Sequence, residues 1–281
     1  RCTVRLGGPI TPRGLGPDEW VARAAALGYR AVGAPIDDTA DDATVRAYVE
    51  AAQRADLVIA EVGAWSNPIS PDAGIAREAL ALCQRRLDLA ERLGARCCVN
   101  IAGSRGERWD GPHPTNLSDE VFDLIVESVR AIIDAVRPTR TYYTLEPMPW
   151  VFPDSADSYL RLIAAIDRPR FAVHLDPVNF VSSPERCYNT TALLEECFHK
   201  LGPYIKSCHA KDIALSTRLT VHLDEVRPGL GVLDYPTFLR CLDRLDPDTP
   251  LMLEHLPNED EYALAAAHVR AVAAQVGASL G

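Results

Sequence analysis

No run of apolar residues in this 281-residue sequence is long enough to cross a bilayer, and no charged-then-apolar leader opens it. Basic residues are also scarce: 29 Lys and Arg against 39 Asp and Glu leave a formal charge of −10 and a pI near 5.2. That balance argues against a nucleic-acid surface, which needs a clustered basic face. A phosphorylated small molecule is not excluded, since one Lys or Arg pair suffices to hold it. The eight cysteines contain no Cys-x-x-Cys pair. Cys97 and Cys98 are adjacent on an expected strand, where successive side chains point to opposite faces, so they are not expected to bridge. Buried free thiols in a reducing, cytoplasmic compartment are the expectation. The first expected strand runs into Leu6-Gly7-Gly8-Pro9, which lacks the Gly-x-Gly-x-x-Gly turn of an open dinucleotide-binding sheet. Arg1 stands where a Met would start a chain, which implies a native N-terminus outside this sequence.

What is present is a soluble globular composition, 47% hydrophobic and 24% charged, with enough apolar material for a large core. Strand and helix signals alternate from end to end. Strands are expected at 2–7, 29–34, 57–62 and 96–101, and then as four runs ending on Glu146, Asp176, His209 and Glu254. Helices are expected from Asp18 to Leu27, from Asp41 or Asp42 to Ala55, and over 75–93, 120–136, 156–166, 190–201, 235–245 and 259–276. Alternation with short connections implies a parallel sheet. Eight βα units without a break in composition imply one domain spanning 1–281, a (β/α)8 TIM barrel.

The last four strands share a pattern. Tyr-Tyr-Thr-Leu ends on Glu146 before Pro147 and Pro149, and Phe-Ala-Val-His-Leu ends on Asp176 before Pro177. Tyr-Ile-Lys-Ser-Cys ends on His209, and Pro-Leu-Met-Leu on Glu254. A carboxylate after one strand is more often a cap or a loop charge. Four metal-binding side chains at consecutive strand ends form an oxygen-rich set suited to a hard or borderline divalent ion. In a barrel these ends converge on the catalytic face. The first two spacings each fit one βα unit, and the third, from 209 to 254, carries an extra loop.

At these residues the chain resembles the sugar phosphate isomerase/epimerase superfamily, the xylose isomerase-like barrels. Cys-His-Ala-Lys-Asp at 208–212 is similar to the family's His-x-Lys-Asp signature. Arg227-Pro-Gly-Leu-Gly-Val-Leu-Asp-Tyr resembles its Gly-x-Gly-x-x-Asp-[Tyr/Phe] turn. The resemblance implies one divalent ion held by Glu146, Asp176, His209 and Glu254, with Mn²⁺ first, then Mg²⁺ or Co²⁺, and Zn²⁺ compatible with the ligand types. It also implies that Glu146 and Glu254 are the acid/base pair of a proton transfer next to a carbonyl through an ene-diolate. Two departures stand out. Metal-chelating ketose epimerases usually carry a His where Asn179 lies and an Arg near the place of Lys211, so this chain looks closer to the branch that holds inosose dehydratase-like enzymes and uncharacterised isomerases.

Further substrate-binding candidates are His174, one layer below Asp176; Lys211, two residues past His209; Asn179; Arg227 in the long seventh loop; and Trp109 and His113 on the polar loop 103–116. Plainer alternatives are a satisfied core histidine for His174, a surface charge for Lys211, a turn-stabilising role for Arg227 and loop packing for Trp109. His199, His222, His255 and His268 are read as structural or surface residues. The expected activity is a metal-dependent isomerase or epimerase of a sugar or cyclitol. The alternative is a lyase on the same scaffold, an inosose-type dehydratase or a C-glycoside deglycosidase acting on a 3-keto sugar. A non-catalytic sugar-binding barrel and an endonuclease IV-like nuclease rank below these. The expected partners are a small sugar-like substrate and further copies of the chain, with neither nucleic acid nor membrane. A deglycosidase would add a small β-rich subunit.

Overall fold

The computed structural model describes residues 4–281. Cys2 and Thr3, the start of the first expected strand, lie outside them. The parallel strands are β1 (Val4–Gly7), β2 (Ala31–Gly33), β3 (Val58–Gly63), β4 (Cys97–Asn100), β5 (Tyr143–Leu145), β6 (Phe171–Leu175) and β7 (Ile205–Ala210). Two short strands follow, β8 (Asp212–Leu215) and β9 (Leu223–Val226), and then β10 (Thr249–Leu253). The sheet closes in the order β1-β2-β3-β4-β5-β6-β7-β10, so the expected (β/α)8 barrel is what forms. The seam between β1 and β2 rests on a single register pair, Gly7 with Ala31. A side chain at position 7 would meet the Ala31 carbonyl at 2.1 Å, so only glycine closes the barrel there.

The ring of helices consists of α1 (Pro17–Leu27), α2 (Asp42–Arg54), α3 (Ala73–Leu93), α4 (Asp119–Val136) and α5 (Ala156–Ile166), then the short α6 (Pro184–Tyr188). It is completed by α7 (Thr190–Leu201), α8 (Tyr235–Leu242) and α9 (Glu259–Val276). Asp41, Asp72, Ser118, Ser155, Asp234 and Asn258 accept from the third backbone N–H of their helices, which supplies the caps. Asp18 does not cap α1: Gly16 holds that place and Pro17 opens the helix, leaving Asp18 in the first turn. Helix α8 stops at Leu242, short of the expected Leu245. There the amides of Arg244 and Leu245 turn back to carbonyls three residues earlier, ahead of Asp246-Pro247.

Two irregularities interrupt the regular barrel. Between β2 and β3 the register jumps from Val32 with Ile59 to Gly33 with Glu61, so Ala60 is an extra residue. Such a bulge reverses the inward–outward alternation, and it turns Glu61 into the barrel. The second is the antiparallel β8–β9 hairpin inserted after β7, which gives structure to the extra loop expected before Glu254. Both oxygens of the buried Asp212 organise it. Oδ2 accepts from Gly229 and Gly231, and Oδ1 from Leu233 and Ile213. A Cβ at Gly231 would lie 2.3 Å from Asp212 Oδ1, so the segments 208–212 and 227–235 meet closely here.

The described cysteines, Cys97 and Cys98 among them, are all free. No described helix is long and apolar enough to cross a membrane.

Glu91 on α3 anchors the entry to β5. Its carboxylate accepts from the amides of Thr139, Arg140 and Thr141 and from the Thr139 hydroxyl, at 2.7–3.1 Å. Burial alone would raise its pKa, but these donors outweigh it and hold the group at about 2, against an ordinary 4.5. A depressed carboxyl contributes stability above its unfolded pKa and loses it as pH falls to the folded value. Glu91→Gln is therefore expected to destabilise the protein by about 2 kcal/mol at pH 7. The gap to the parent should close between about pH 4.5 and about pH 2, as urea denaturation across that range would record. A gap that stays constant with pH would show that the charge contributes nothing.

Candidate metal centre and its cavity

Glu146, Asp176 and Glu254 follow the last residues of β5, β6 and β10, and His209 lies near the end of β7. One ligand atom from each of the four lies within 4.8 Å of every other. His209 Nδ1 is 2.9 Å from Glu254 Oε1, 3.3 Å from Glu146 Oε1 and 3.6 Å from Asp176 Oδ2. Adjacent oxygens around an ion with bonds of about 2.1 Å sit about 3 Å apart, so the set is spaced for a divalent cation. Asp176 Oδ2 and Glu254 Oε1 are buried without any hydrogen bond. The Lys211 ammonium is 2.7 Å from each, close enough for an ion pair but off hydrogen-bonding geometry. Buried carboxylate oxygens without donors, beside an imidazole nitrogen, are what a cation site requires. The residues fit a metal ion.

Without an ion, the charges partition unevenly. Burial pushes Glu146 up to about 7 against the pull of His209 and Lys211. Burial works the same way on Asp176 and Glu254, but there the cations win: chiefly Lys211 for Asp176 and His209 for Glu254, so both stay well below the carboxylate range. Burial lowers Lys211 and His209, yet the surrounding carboxylates hold both well above their ordinary values. Ligation through Nδ1 would need that nitrogen without its proton.

The other sequence candidates divide. Asn179 donates its amide to Glu146 Oε1 at 3.1 Å and to the Pro147 carbonyl at 3.0 Å, fixing the rotamer of that carboxylate. His174 is fully buried, its ring 4.1 Å from that of His209, with neither nitrogen hydrogen-bonded. Burial and the neighbouring His209 lower it to about 4, so it is neutral. Trp109 lines the same cavity as Glu146 and Glu254, together with Trp65 and Trp150. His113 does not line it; the ring turns to Thr115 at 2.9 Å on the exposed side of the loop. Arg227 is also off the cavity, paired with Glu261 on α9 at 2.8 Å, the turn-stabilising alternative.

The cavity has a volume of about 910 Å³. Glu146, Asn179, Lys211 and Glu254 line its floor, and its walls include Met148, Val178, Val181, Ile213, Val221 and Leu223. The loop 103–116 forms one wall and is pinned from within. Asn116 Oδ1 accepts from the Arg105 amide at 2.9 Å, Asn67 brackets Ser104 with two hydrogen bonds, and Trp150 Nε1 donates to the Asp110 carbonyl at 2.9 Å.

Sequence reasoning missed three residues. Glu61 reaches His209 Nε2 at 3.1 Å across the barrel, and a carboxylate inside the apolar run 57–62 was the available signal. Glu225, on the unforeseen hairpin, accepts from His255 Nδ1 at 3.1 and 3.2 Å. His255 is not merely a surface residue: it lines the cavity with a left-handed backbone (φ 59°), its Nε2 3.6 Å from Glu254 Oε1.

Several solved structures share this architecture at low sequence identity. A xylose isomerase-like TIM barrel protein from Mycobacterium smegmatis, in complex with magnesium, superposes with a TM-score of 0.67 at 16% identity, covering 97% of each chain. The 3-keto-D-glucoside 4-epimerase of E. coli gives 0.69 at 15% identity, over 95% of this chain and 99% of that one. A probable 3-DHS dehydratase from Bacillus anthracis gives 0.68 at 17%, over 95% and 98%. At these identities the likeness establishes the fold alone. No curated protein matches the sequence. The family model described as xylose isomerase-like TIM barrel, however, matches residues 21–272, from α1 into α9 and across the strand ends that carry Glu146, Asp176, His209 and Glu254. With nine-tenths of its length matched, the chain belongs to the xylose isomerase-like TIM barrel family.

Proposed function

We propose that the protein is a divalent-metal-dependent isomerase or epimerase of an uncharged sugar or cyclitol, moving a proton on the carbon next to a carbonyl. The observation that carries this reading is the convergence of Glu146, Asp176, His209 and Glu254 at one point of the barrel, with Glu146 and Glu254 lining the floor of a tryptophan-walled cavity. An ion held by those four residues would supply Lewis acidity to a carbonyl and its neighbouring hydroxyl, with Mn²⁺ or Mg²⁺ favoured by the three carboxylates. Glu146 and Glu254 rise from strands separated by β6 and β7, so they flank the other two ligands. One takes the proton from carbon and the other returns it. Asn179 holds Glu146 in orientation, and the Lys211 ammonium offsets negative charge gathering at the floor. The wall offers ring faces for the apolar side of a sugar.

Charge supports an uncharged substrate. The cations lining the cavity are Lys211, already engaged by Asp176 and Glu254, and His255, engaged by Glu225. Neither is free for a phosphate. The lyase reading has one observation in its favour. A volume of about 910 Å³ is near the upper end for small-molecule sites and leaves room for a leaving group beside a single sugar ring.

Incubating the Mn²⁺-loaded protein with keto-sugars, inososes and 3-keto glycosides in D₂O, followed by NMR, tests both readings. Deuterium at the carbon next to the carbonyl of a recovered isomer supports isomerisation or epimerisation. A released aglycone or an enone from water loss supports a lyase, and no turnover of any of them counts against both.

Trp109→Ala is expected to raise KM about 3- to 10-fold while leaving Tm nearly unchanged, because its half-exposed ring contributes to the cavity and the loop is pinned by other residues. A large drop in Tm with unaltered KM would make Trp109 a packing residue.

A further inference from the structure

Beneath the four ligands lies a second polar cluster that the proposed chemistry does not use. Glu61 Oε1 is 3.1 Å from His209 Nε2. Its other oxygen is 3.3 Å from Ser207 Oγ and 3.5 Å from His174 Nδ1. Strands β3 and β7 are not neighbours, so these contacts cross the barrel interior. A carboxylate placed there is costly unless it is paired, and the β3 bulge at Ala60 is what delivers it.

We propose that Glu61 is a positioning residue for the metal centre. It accepts the Nε2–H of His209, and thereby fixes the tautomer whose Nδ1 lone pair faces Glu146, Asp176 and Glu254. This rests on the metal-dependent reading above and deepens it. The two nitrogens of one imidazole diverge, so a carboxylate on the Nε2 side does not reach an ion held on the Nδ1 side. Glu61 is therefore not a fifth ligand to that ion. It does not line the cavity either, so contact with substrate does not explain it. What remains is action through His209, the arrangement in which an outer carboxylate orients a ligating histidine and raises its basicity. His174 packs edge-on against the His209 ring and limits its rotation.

The test compares Co²⁺ affinity, by calorimetric titration of the metal alone, in the parent, Glu61→Gln and Glu61→Leu. Removing such a partner weakens binding on the order of 10- to 100-fold. Glu61→Leu is expected near the top of that range. Glu61→Gln, which keeps an acceptor oxygen but loses the charge, should be partly rescued. A long-range ¹H–¹⁵N spectrum of the Mg²⁺-loaded protein should show the His209 proton on Nε2 in the parent and in Glu61→Gln. If Glu61→Leu does not fold, Glu61→Gln decides alone through its weaker Co²⁺ binding. Unchanged affinity in a folded variant, or a proton on Nδ1 in the loaded parent, overturns the assignment to Glu61 and leaves the metal reading standing. A parent that binds no ion overturns both.

Discussion

Asp176→Ala, purified beside the parent and assayed by elemental analysis, is expected to retain almost no divalent ion where the parent holds one per chain. Asp176 has no exposed surface, and its Oδ2 has no hydrogen-bond donor to satisfy it other than by charge. Alanine removes that oxygen and leaves Lys211 paired with Glu254, Glu146 and, at 4.0 Å, Glu225, so the remaining three ligands must hold an ion beside a less neutralised ammonium. Substitution by Asn is the milder comparison, since an amide oxygen preserves shape without charge. Equal metal content in Asp176→Ala and the parent would remove Asp176 from the centre, whatever the activity of either protein.

Glu146→Gln and Glu254→Gln are expected to lower kcat by roughly 10²- to 10⁴-fold, the usual contribution of a general acid or base, with a smaller effect on KM. An amide still offers an oxygen to an ion but accepts no proton from carbon. The two substitutions are not equivalent in their surroundings. At 146 the amide meets the donor of Asn179, and its orientation is set by that 3.1 Å contact. Both carboxylates meet His209 and Lys211, but at 254 no hydrogen-bond donor holds Oε1, and the partly exposed side chain has room to turn. Glu254→Gln should therefore lose more metal affinity than Glu146→Gln, and kcat is to be compared at saturating Mn²⁺. Near-parental kcat in both proteins would rule out the two-carboxylate mechanism while leaving the metal site intact.

The four candidate ligands were legible for a local reason. Each stands where an apolar run stops, and three are followed directly or within three residues by a structure-breaking proline. Helix positions were equally accessible, because Ser, Asp and Asn caps and the stop at Gly94 act over four residues or fewer. What stayed hidden depends on distant partners. Glu61 faces inward only because of the register jump opposite Val32 and Gly33, which alternation along β3 does not encode. The hairpin strands Asp-Ile-Ala-Leu and Leu-Asp-Glu-Val are too short and polar to read as a sheet, and it is Asp212 that holds them against the turn at 229–233. His255 acquires a place in the cavity from Glu225 on that hairpin, so it could not be recognised before the hairpin was. Arg227 and His113 failed in the opposite direction, since nearer partners, Glu261 and Thr115, take up their polar atoms.

Asp212 also sets how the cavity wall can fluctuate. It lies next to Lys211, and its carboxylate gathers amides from as far as 21 residues along the chain. Swinging the hairpin outward would strip a buried carboxylate of those donors at once, so partial opening on that side has no cheap intermediate. The base of the hairpin wall then acts as a fixed door-jamb rather than a door.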